Sequence, residues 1–253
     1  MVKGLDIFRV HFQDYADRYV LIGGAACDAA MTEAGLAFRA TKDLDIVLIV
    51  EALDADFVRA FWAFVRTGGY QVQEKSTGQK QFYRFQKPTS EQYPFVLELF
   101  SRQPDVLQVA EGSHLTPLPV DEDLSSLSAI LMNEDYYRFI LAGRQHIDGL
   151  PVVDAAHLVP LKASAWLDLT QRSQAGEQID SKVIKKHKND VFRLYQILDP
   201  TVTPAAPKAI KTDLREFLSR MKTEEVDLKA LGIRTDPLHA VLVQLAAIYR
   251  LDS

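Results

Sequence analysis

The most informative segment for the fold is YVLIGGAACDAAMTEAGLAFRATKDLDIVLIV, residues 19–50. Its start predicts a short strand that ends in a turn at Gly23 and Gly24, followed by a helix through about Glu33. Its end, DLDIVLIV, predicts a second strand. Glycines between a strand and a helix let backbone N–H groups approach an anion, and the N-terminus of a helix favours negative charge. This turn is therefore a candidate phosphate-binding loop.

Two acids stand at the start of the second strand. Asp43 and Asp45 are two residues apart, so their side chains point to the same face of a strand. Two carboxylates on one face repel each other unless a cation lies between them, and magnesium prefers one or two carboxylates together with phosphate oxygens and water. Such a pair alone is more often two solvated caps, but the preceding strand, glycine turn and helix favour a metal site.

A third acid is expected on a neighbouring strand, and Glu98 fits that position. It is the only acid in the apolar run PFVLELF, residues 94–100. A lone carboxylate in such a run costs free energy unless it has a partner. A metal ion is one candidate partner, and the side chain of Arg84 or Lys87 is the other.

The chain outside this segment predicts an α+β fold. A helix is expected over the first 20 residues, and an amphipathic helix from Asp54 to a stop at Gly68. Three strand-like runs follow: YQVQEK, QFYRFQ and PFVLELF. This pattern predicts a mixed sheet with flanking helices in residues 1–150.

The remainder, residues 151–253, is predicted to be helical. One helix covers VPLKASAWLDLTQRS, with Pro160 near its first turn, and a second begins near Asp180. The segment DPTVTPAAPK contains three prolines and predicts a linker. Two or three helices close the chain, and the last is expected to open with Thr235-Asp236-Pro237 as cap and first turn.

Composition restricts the class of protein. The chain has 253 residues, a net charge of -5 and one cysteine, Cys27, which excludes an internal disulfide and is expected to be a small buried residue. The six histidines have no HxH or HxxxH spacing. No run approaches the roughly 20 apolar residues of a membrane span, and the first residues lack a secretory pattern. We therefore expect a cytoplasmic protein with no membrane partner.

Four segments resemble a known family. LIGGAACDAA and RATKDLDIVL are similar to the first motif of the polymerase-β-like nucleotidyltransferase superfamily, in the form found in AbiEii-type toxin nucleotidyltransferases. LVPLKASAWLDLTQR resembles the later lysine motif of that family, and KKHKNDVFRLYQI resembles its Lys-Asp helix. The resemblance spans roughly residues 19–198, with the motifs in the expected order.

The resemblance implies a catalytic N-terminal sheet completed by a helical part, with Mg²⁺ or Mn²⁺ as cofactor and a nucleoside triphosphate (NTP) as substrate. It implies metal binding by Asp43, Asp45 and Glu98, and catalytic roles for these acids and for Lys162 and Asp190. It implies that the triphosphate contacts Gly23, Gly24, Thr41, Lys42 and Lys162. Two departures stand out: Glu98 replaces a frequent Asp, and Ala25 replaces a common hydroxyl residue.

Taken by themselves, the residues of the two later motifs are also compatible with an ordinary protein surface. Lys162 is equally an exposed lysine, and Asp190 equally a surface helix partner of Lys186 four residues earlier. The helix from Lys182 to Arg193 is strongly basic. Such a helix is usually a solvated face, but it can also be where a polyanion docks.

Three functions remain open at this point. The resemblance favours a magnesium-dependent nucleotidyltransferase that modifies RNA, particularly the tRNA acceptor end, as a toxin restrained by an antitoxin protein. An antibiotic-type enzyme that modifies a small hydroxylated drug is the second. A nucleotide-binding or interaction module without catalysis is the third, suggested by the departures at Ala25 and Glu98.

Overall fold

The computed structural model describes residues 2–49, 52, 54–72, 83–100 and 133–251. They form two compact units. The first contains the described residues up to 100 together with 144–153, and the second contains residues 133–143 and 154–251. The division differs from the single predicted boundary at residue 150, since a helix before it belongs to the second unit and a strand that crosses it belongs to the first.

The first unit is built on a seven-stranded mixed sheet in the order β3-β4-β5-β2-β1-β7-β6. Strand β1 pairs antiparallel with β2 and parallel with β7, and β2 pairs parallel with β5. The strands are β1 (Tyr19–Ile22), β2 (Asp43–Leu48), β3 (Gln71–Val72), β4 (Tyr83–Gln86), β5 (Val96–Phe100), β6 (Arg144–Ile147) and β7 (Leu150–Val153). The three predicted strand-like runs thus contain β3, β4 and β5, and the α+β class is confirmed.

In the described part of the chain, three helices flank this sheet: α1 (Leu5–His11), α2 (Gly23–Glu33) and α3 (Ala55–Gly68). The first predicted helix is shorter than expected, because α1 ends at His11 and a 3₁₀ turn, Gln13–Tyr15, follows it. Asp54 caps α3 as predicted, by accepting a hydrogen bond from the amide of Phe57. The helix ends at Gly68 as predicted, and Gly69, the residue after it, adopts the left-handed conformation with φ of 63°.

An aromatic cluster covers the sheet face opposite the acids. Strand alternation places Tyr19 and Phe85 on that face, away from Asp45. Tyr19 packs edge-on against Phe8 of α1, and Phe85 packs edge-on against Phe61 of α3. Burial of such large rings is the main stabilising contribution to this layer, and it leaves the acidic side chains on the other face.

The hairpin β6–β7 was not predicted. Asp148 and Gly149 form its turn, both with positive φ, of 49° and 77°. Two such residues define the turn that suits the twist of a tight hairpin, and Asp-Gly is a preferred sequence for it. The hairpin extends the sheet beyond β1, where Leu21 pairs with Val152.

The second unit is helical. Its helices are α4 (Glu134–Ala142), α5 (Ala155–Gln174), α6 (Ser181–Tyr195), α7 (Lys208–Met221) and α8 (Leu238–Ile248). Helix α6 begins next to Asp180 as predicted, and Asp180 is its cap. Helix α8 begins one residue after the predicted start, with Pro237 as its cap. Within the described ranges, no helix is long and apolar enough to cross a membrane.

Pro160 lies farther inside its helix than predicted, because α5 already begins at Ala155. A proline has no N–H, so the carbonyl of Ala156, four residues earlier, lacks its helical partner. The buried hydroxyl of Tyr249 donates to that carbonyl at 2.7 Å. Tyr249 thereby satisfies the carbonyl of Ala156, which Pro160 leaves without a helical hydrogen bond.

Candidate metal and nucleotide site

The three predicted acidic ligands lie on one face of the sheet in the first unit. Asp45 pairs in register with Glu98 across the parallel strands β2 and β5, so their side chains are neighbours on the same face. Asp43, two residues before Asp45, shares that face and is partly exposed. Asp45 and Glu98 are buried, with exposed fractions of 8% and 5%. The predicted placement of Glu98 on a strand next to the aspartates is confirmed.

The glycine turn is packed directly against this acidic pair. Gly23 has a φ of 66°, and a Cβ at this position would lie 1.6 Å from Oδ2 of Asp45. A Cβ on Gly24 would lie 2.5 Å from Oγ1 of Thr41. Only glycine therefore lets the first turn of α2 approach the strand that carries the acids. The structure brings Gly23, Gly24, Thr41 and Asp45 together, and their roles toward a triphosphate and a metal stay predictions.

Lys42, another predicted triphosphate contact, is exposed at the start of this strand. Its ammonium lies 5.8 Å from the centroid of the Phe95 ring. An ammonium at that distance from an aromatic face is within the range of a cation–π attraction, which is weak at an exposed position. The side chain thus has a local contact within the first unit, and its role toward a triphosphate stays a prediction.

Burial raises the pKa of the Glu98 carboxyl well above its ordinary value, and the nearby charge of Asp45 adds to the effect. Arg84 acts in the opposite direction, and Asp43 raises the pKa further. Glu98 also shares a hydrogen bond with Asp45, which requires a proton on one of the two carboxyl groups. A proton on Glu98 is one way in which this face compensates the repulsion between its acids.

Arg84 provides the second compensation. It is the register partner of Glu98 across the antiparallel strands β4 and β5. Its Nε lies 3.3 Å from Oε1 of Glu98. Arg84, one of the partners expected from the sequence, is thus in contact with Glu98. The position of Glu98 beside the two aspartates is also compatible with the other expected partner, a metal ion.

The donor set suits a magnesium ion, but the side chains are not arranged as a metal cage. Carboxylate oxygens are hard ligands, and a carboxyl group at Glu98 that is desolvated beside Asp45 and Asp43 would be relieved by a divalent cation. Across the described part of the chain, no three His, Cys, Asp or Glu side chains converge closely enough to hold a metal. A metal ion bound by all three acids would therefore have to replace the proton of the acid pair and the contact with Arg84.

The raised pKa of Glu98 predicts a specific pH dependence. A carboxyl group whose pKa is raised in the folded state contributes stability that is fully present below its ordinary pKa near 4.5. This contribution is lost as the pH rises through the pKa of the folded state. Without divalent metal, we therefore expect Glu98→Gln to gain free energy of unfolding relative to the wild type between pH 5 and pH 8. The gain is limited to about 1.4 kcal/mol per pH unit for one proton.

Urea denaturation in EDTA at several pH values measures this difference, with the exposed Glu91→Gln as the matched control. Addition of Mg²⁺ should stabilise the wild type at pH 8 and have less effect on Glu98→Gln. A difference between the two proteins that is independent of pH would contradict the shift.

Lys162 and Asp190 lie in the second unit, on α5 and α6. Lys162 is buried, so the interpretation as an ordinary exposed lysine is wrong. Asp190 has an exposed fraction of 0%, and its carboxylate oxygens lie 3.7 Å from Nζ of Lys162 and 3.1 Å from Nη1 of Arg193. The interpretation of Asp190 as a surface partner of Lys186 is therefore also wrong. A buried pair of this kind is expensive to break, which gives both residues a structural role.

The basic helix α6 is only partly a solvated face. Lys182 and Lys185 are exposed. Lys188 is buried, and its ammonium donates to the carboxylate of Glu224 at 2.6 Å and to the carbonyl of Glu225 at 2.9 Å. The expectation that Lys188 belongs to an exposed polyanion-binding face is therefore wrong.

This difference predicts unequal effects of two lysine substitutions. Lys188→Ala should lower the free energy of unfolding by about 1–3 kcal/mol, because it removes charge-assisted hydrogen bonds from a buried position. Lys185→Ala, at an exposed position of the same helix, should change it by less than about 0.5 kcal/mol. Urea denaturation of both variants gives the comparison. Equal stabilities would contradict the assignment of Lys188 to the interior.

Cys27 is buried on α2, as its interpretation as a small core residue predicted.

Arg84 is the residue of this site whose importance was least apparent from the sequence, where it was only one candidate partner of Glu98. Its alternation with Phe85 in YRFQ was the available signal, since the apolar neighbour places Arg84 on the opposite face.

Comparison of the sequence with models of protein families and with curated proteins gives no match.

Proposed function

We propose that the first unit carries a magnesium-dependent site for nucleotide transfer from an NTP. One observation carries the proposal: Asp43, Asp45 and Glu98 share a sheet face, and Gly23 packs the start of α2 against Asp45. Acids that repel each other favour a divalent cation, while the amides at a helix N-terminus favour phosphate oxygens. A metal–triphosphate complex combines both requirements in one ligand.

Each residue of the proposed site in the first unit has a defined role. Asp43, Asp45 and Glu98 hold magnesium, which when bound neutralises charge on the phosphate oxygens. The backbone of Gly23 and Gly24 orients the triphosphate. The acceptor hydroxyl oxygen forms a bond to the α-phosphorus, the bond to the bridging oxygen breaks, and pyrophosphate leaves. The hydroxyl proton passes to a carboxylate or to water, so catalysis is mainly positioning and charge neutralisation.

RNA is the acceptor that we propose, with the tRNA acceptor end as the first substrate to test. This choice rests on the resemblance to AbiEii-type toxins, as does the proposed antitoxin partner. The exposed Lys182 and Lys185 on α6 are compatible with contacts to a phosphate backbone. A contact of Lys162 with the departing pyrophosphate also rests on the resemblance and stays a prediction.

A second candidate is a nucleotide-binding module without catalysis. The ion pair between Arg84 and Glu98 favours it, because it compensates the third acid without a metal. Binding of Mg²⁺–NTP without any transfer product would support this alternative.

Incubation of the purified protein with each α-³²P-labelled NTP, Mg²⁺ and an acceptor tests the proposal. The acceptors are total RNA, deacylated tRNA and a hydroxylated antibiotic. Label transferred to RNA, lost in EDTA and in Asp45→Asn, is the expected result. Label on the antibiotic alone would favour the small-molecule enzyme, and no product with any acceptor would contradict catalysis.

A further inference from the structure

Helix α8 is apolar on a side that faces solvent. Its sequence, LHAVLVQLAAI, contains no Asp, Glu, Lys or Arg, although 25% of the chain consists of these residues. Val241, Leu245 and Ile248 are buried, as expected for the inner side of the helix. Val243 lies on the other side with an exposed fraction of 67%. The outer side also carries the exposed polar residues His239 and Gln244, and in the part of the chain that the structure describes the apolar surface at Val243 remains accessible.

The exposed side continues into a groove between α7 and α8. The groove has a volume of about 440 Å³ and lies wholly within the second unit. Its apolar lining comes from both helices and from the residue that follows them: Leu218, Leu242, Val243, Ala246 and Leu251. At one end of the groove, Nε of Arg215 donates a hydrogen bond to the carbonyl of Leu251 at 2.8 Å. Both walls are regular helices, so the groove is a preformed feature of the unit.

The rim of the groove carries two cations and a histidine. Arg215 lies on α7, Lys222 directly follows that helix, and His239 lies on α8; all three side chains are exposed. Among the described residues the lining includes no acidic side chain, although the whole chain has a net charge of -5. A local excess of positive charge around an apolar floor selects a ligand that is apolar on one side and negative at its edges.

We propose that this groove binds an acidic amphipathic helix of a partner protein. Such a helix places apolar side chains at positions i, i+3, i+4 and i+7 in the groove and its carboxylates against the rim. The wall of the groove from Arg215 to Lys222 spans about 11 Å, which matches the rise from position i to position i+7 of a bound helix. The aliphatic floor favours protein over RNA, because sequence-tolerant RNA binding relies on aromatic stacking. This inference does not rest on the proposed function of the first unit.

Fluorescence anisotropy with a labelled peptide of about 16 residues tests the proposal, using leucines at the groove positions and glutamates elsewhere. Two further peptides serve as probes of chemistry, one with lysine for every glutamate and one with serine for every leucine. The protein variants are Val243→Glu and Lys222→Glu. Val202→Glu is the matched control, since Val202 is also exposed, at 53%, but does not line the groove.

The acidic peptide should bind the wild type and Val202→Glu with equal affinity. Val243→Glu should weaken binding at least about tenfold, and Lys222→Glu should weaken it and reduce its salt dependence. All three variants should keep the wild-type melting temperature, because the changed side chains are exposed. No binding to the wild type, equal binding of the lysine peptide, or unchanged affinity of Val243→Glu would overturn the proposal. Sedimentation that shows self-association lost in Val243→Glu would also overturn it, by assigning the groove to a second copy of the chain.

Discussion

Asp45→Asn is expected to abolish metal-dependent nucleotide transfer while the protein remains folded. Asp45 is the central acid of the proposed site, next to Glu98 in register and in contact with the glycine turn. Loss of a residue that only supports a metal ligand typically costs 10–100-fold in metal affinity or activity, so loss of the ligand itself should cost more than about 100-fold. Asp43→Asn should act in the same direction.

The same substitution should preserve or raise stability when metal is absent. The charge of Asp45 is one cause of the raised pKa of Glu98, so its removal relieves repulsion at a buried position. Measurement of the transfer rate together with a melting curve in EDTA separates a catalytic loss from unfolding. The matched control is Asp14→Asn, an exposed acid of the same unit. Wild-type activity in the Asp43→Asn, Asp45→Asn double variant would show that the proposed metal centre is wrong.

Gly23→Ala should damage both the fold and the site. A non-glycine residue in the left-handed region costs about 1–2 kcal/mol, and Gly23 has a φ of 66°. The new Cβ would also collide with the carboxylate of Asp45, and overpacking of this kind typically costs about 1–3 kcal/mol. We therefore expect the free energy of unfolding to fall by about 2–5 kcal/mol, with displacement of Asp45.

Gly35→Ala is the control for backbone strain. Gly35 also has a positive φ, of 74°, but an added Cβ there would meet no atom within 4 Å. The difference in free energy of unfolding between the two variants thus isolates the contact with Asp45. If both variants lose the same amount of stability, Gly23 is required only for its backbone conformation. If Gly23→Ala also binds Mg²⁺–NTP normally, the packing of the turn against Asp45 has no part in the site.

The local part of the site could be predicted because it depends on strand alternation and on a turn. Asp43 and Asp45 had to share a face once DLDIVL was a strand, and Gly23 had to end the preceding strand. The contact of Arg84 with Glu98 could not be assigned, because it depends on the register of β4 against β5. That register is not determined by the alternation within either strand.

In the helical unit, the contacts between elements could not be predicted from local sequence patterns. Asp190 was interpreted as a surface partner of Lys186, yet it lies in the interior against Lys162. Its spacing was informative, because Leu194 is four residues later on the same apolar stripe. The partner on another helix could not be inferred, since packing between helices is a tertiary property. The hairpin β6–β7 had a local signal in Asp148-Gly149, but the pairing of β7 with β1 also depends on tertiary structure.

The position of a bound metal would show whether Asp43, Asp45 and Glu98 form a metal centre. Crystals grown with Mn²⁺ and a non-hydrolysable NTP analogue, measured at the manganese absorption edge, would give an anomalous peak at each metal position. We expect a peak coordinated by Asp43 and Asp45, with Glu98 turned from Arg84 towards the metal and the triphosphate at the start of α2. A structure with the analogue bound elsewhere, or with these acids free of metal and Glu98 still paired with Arg84, would contradict it.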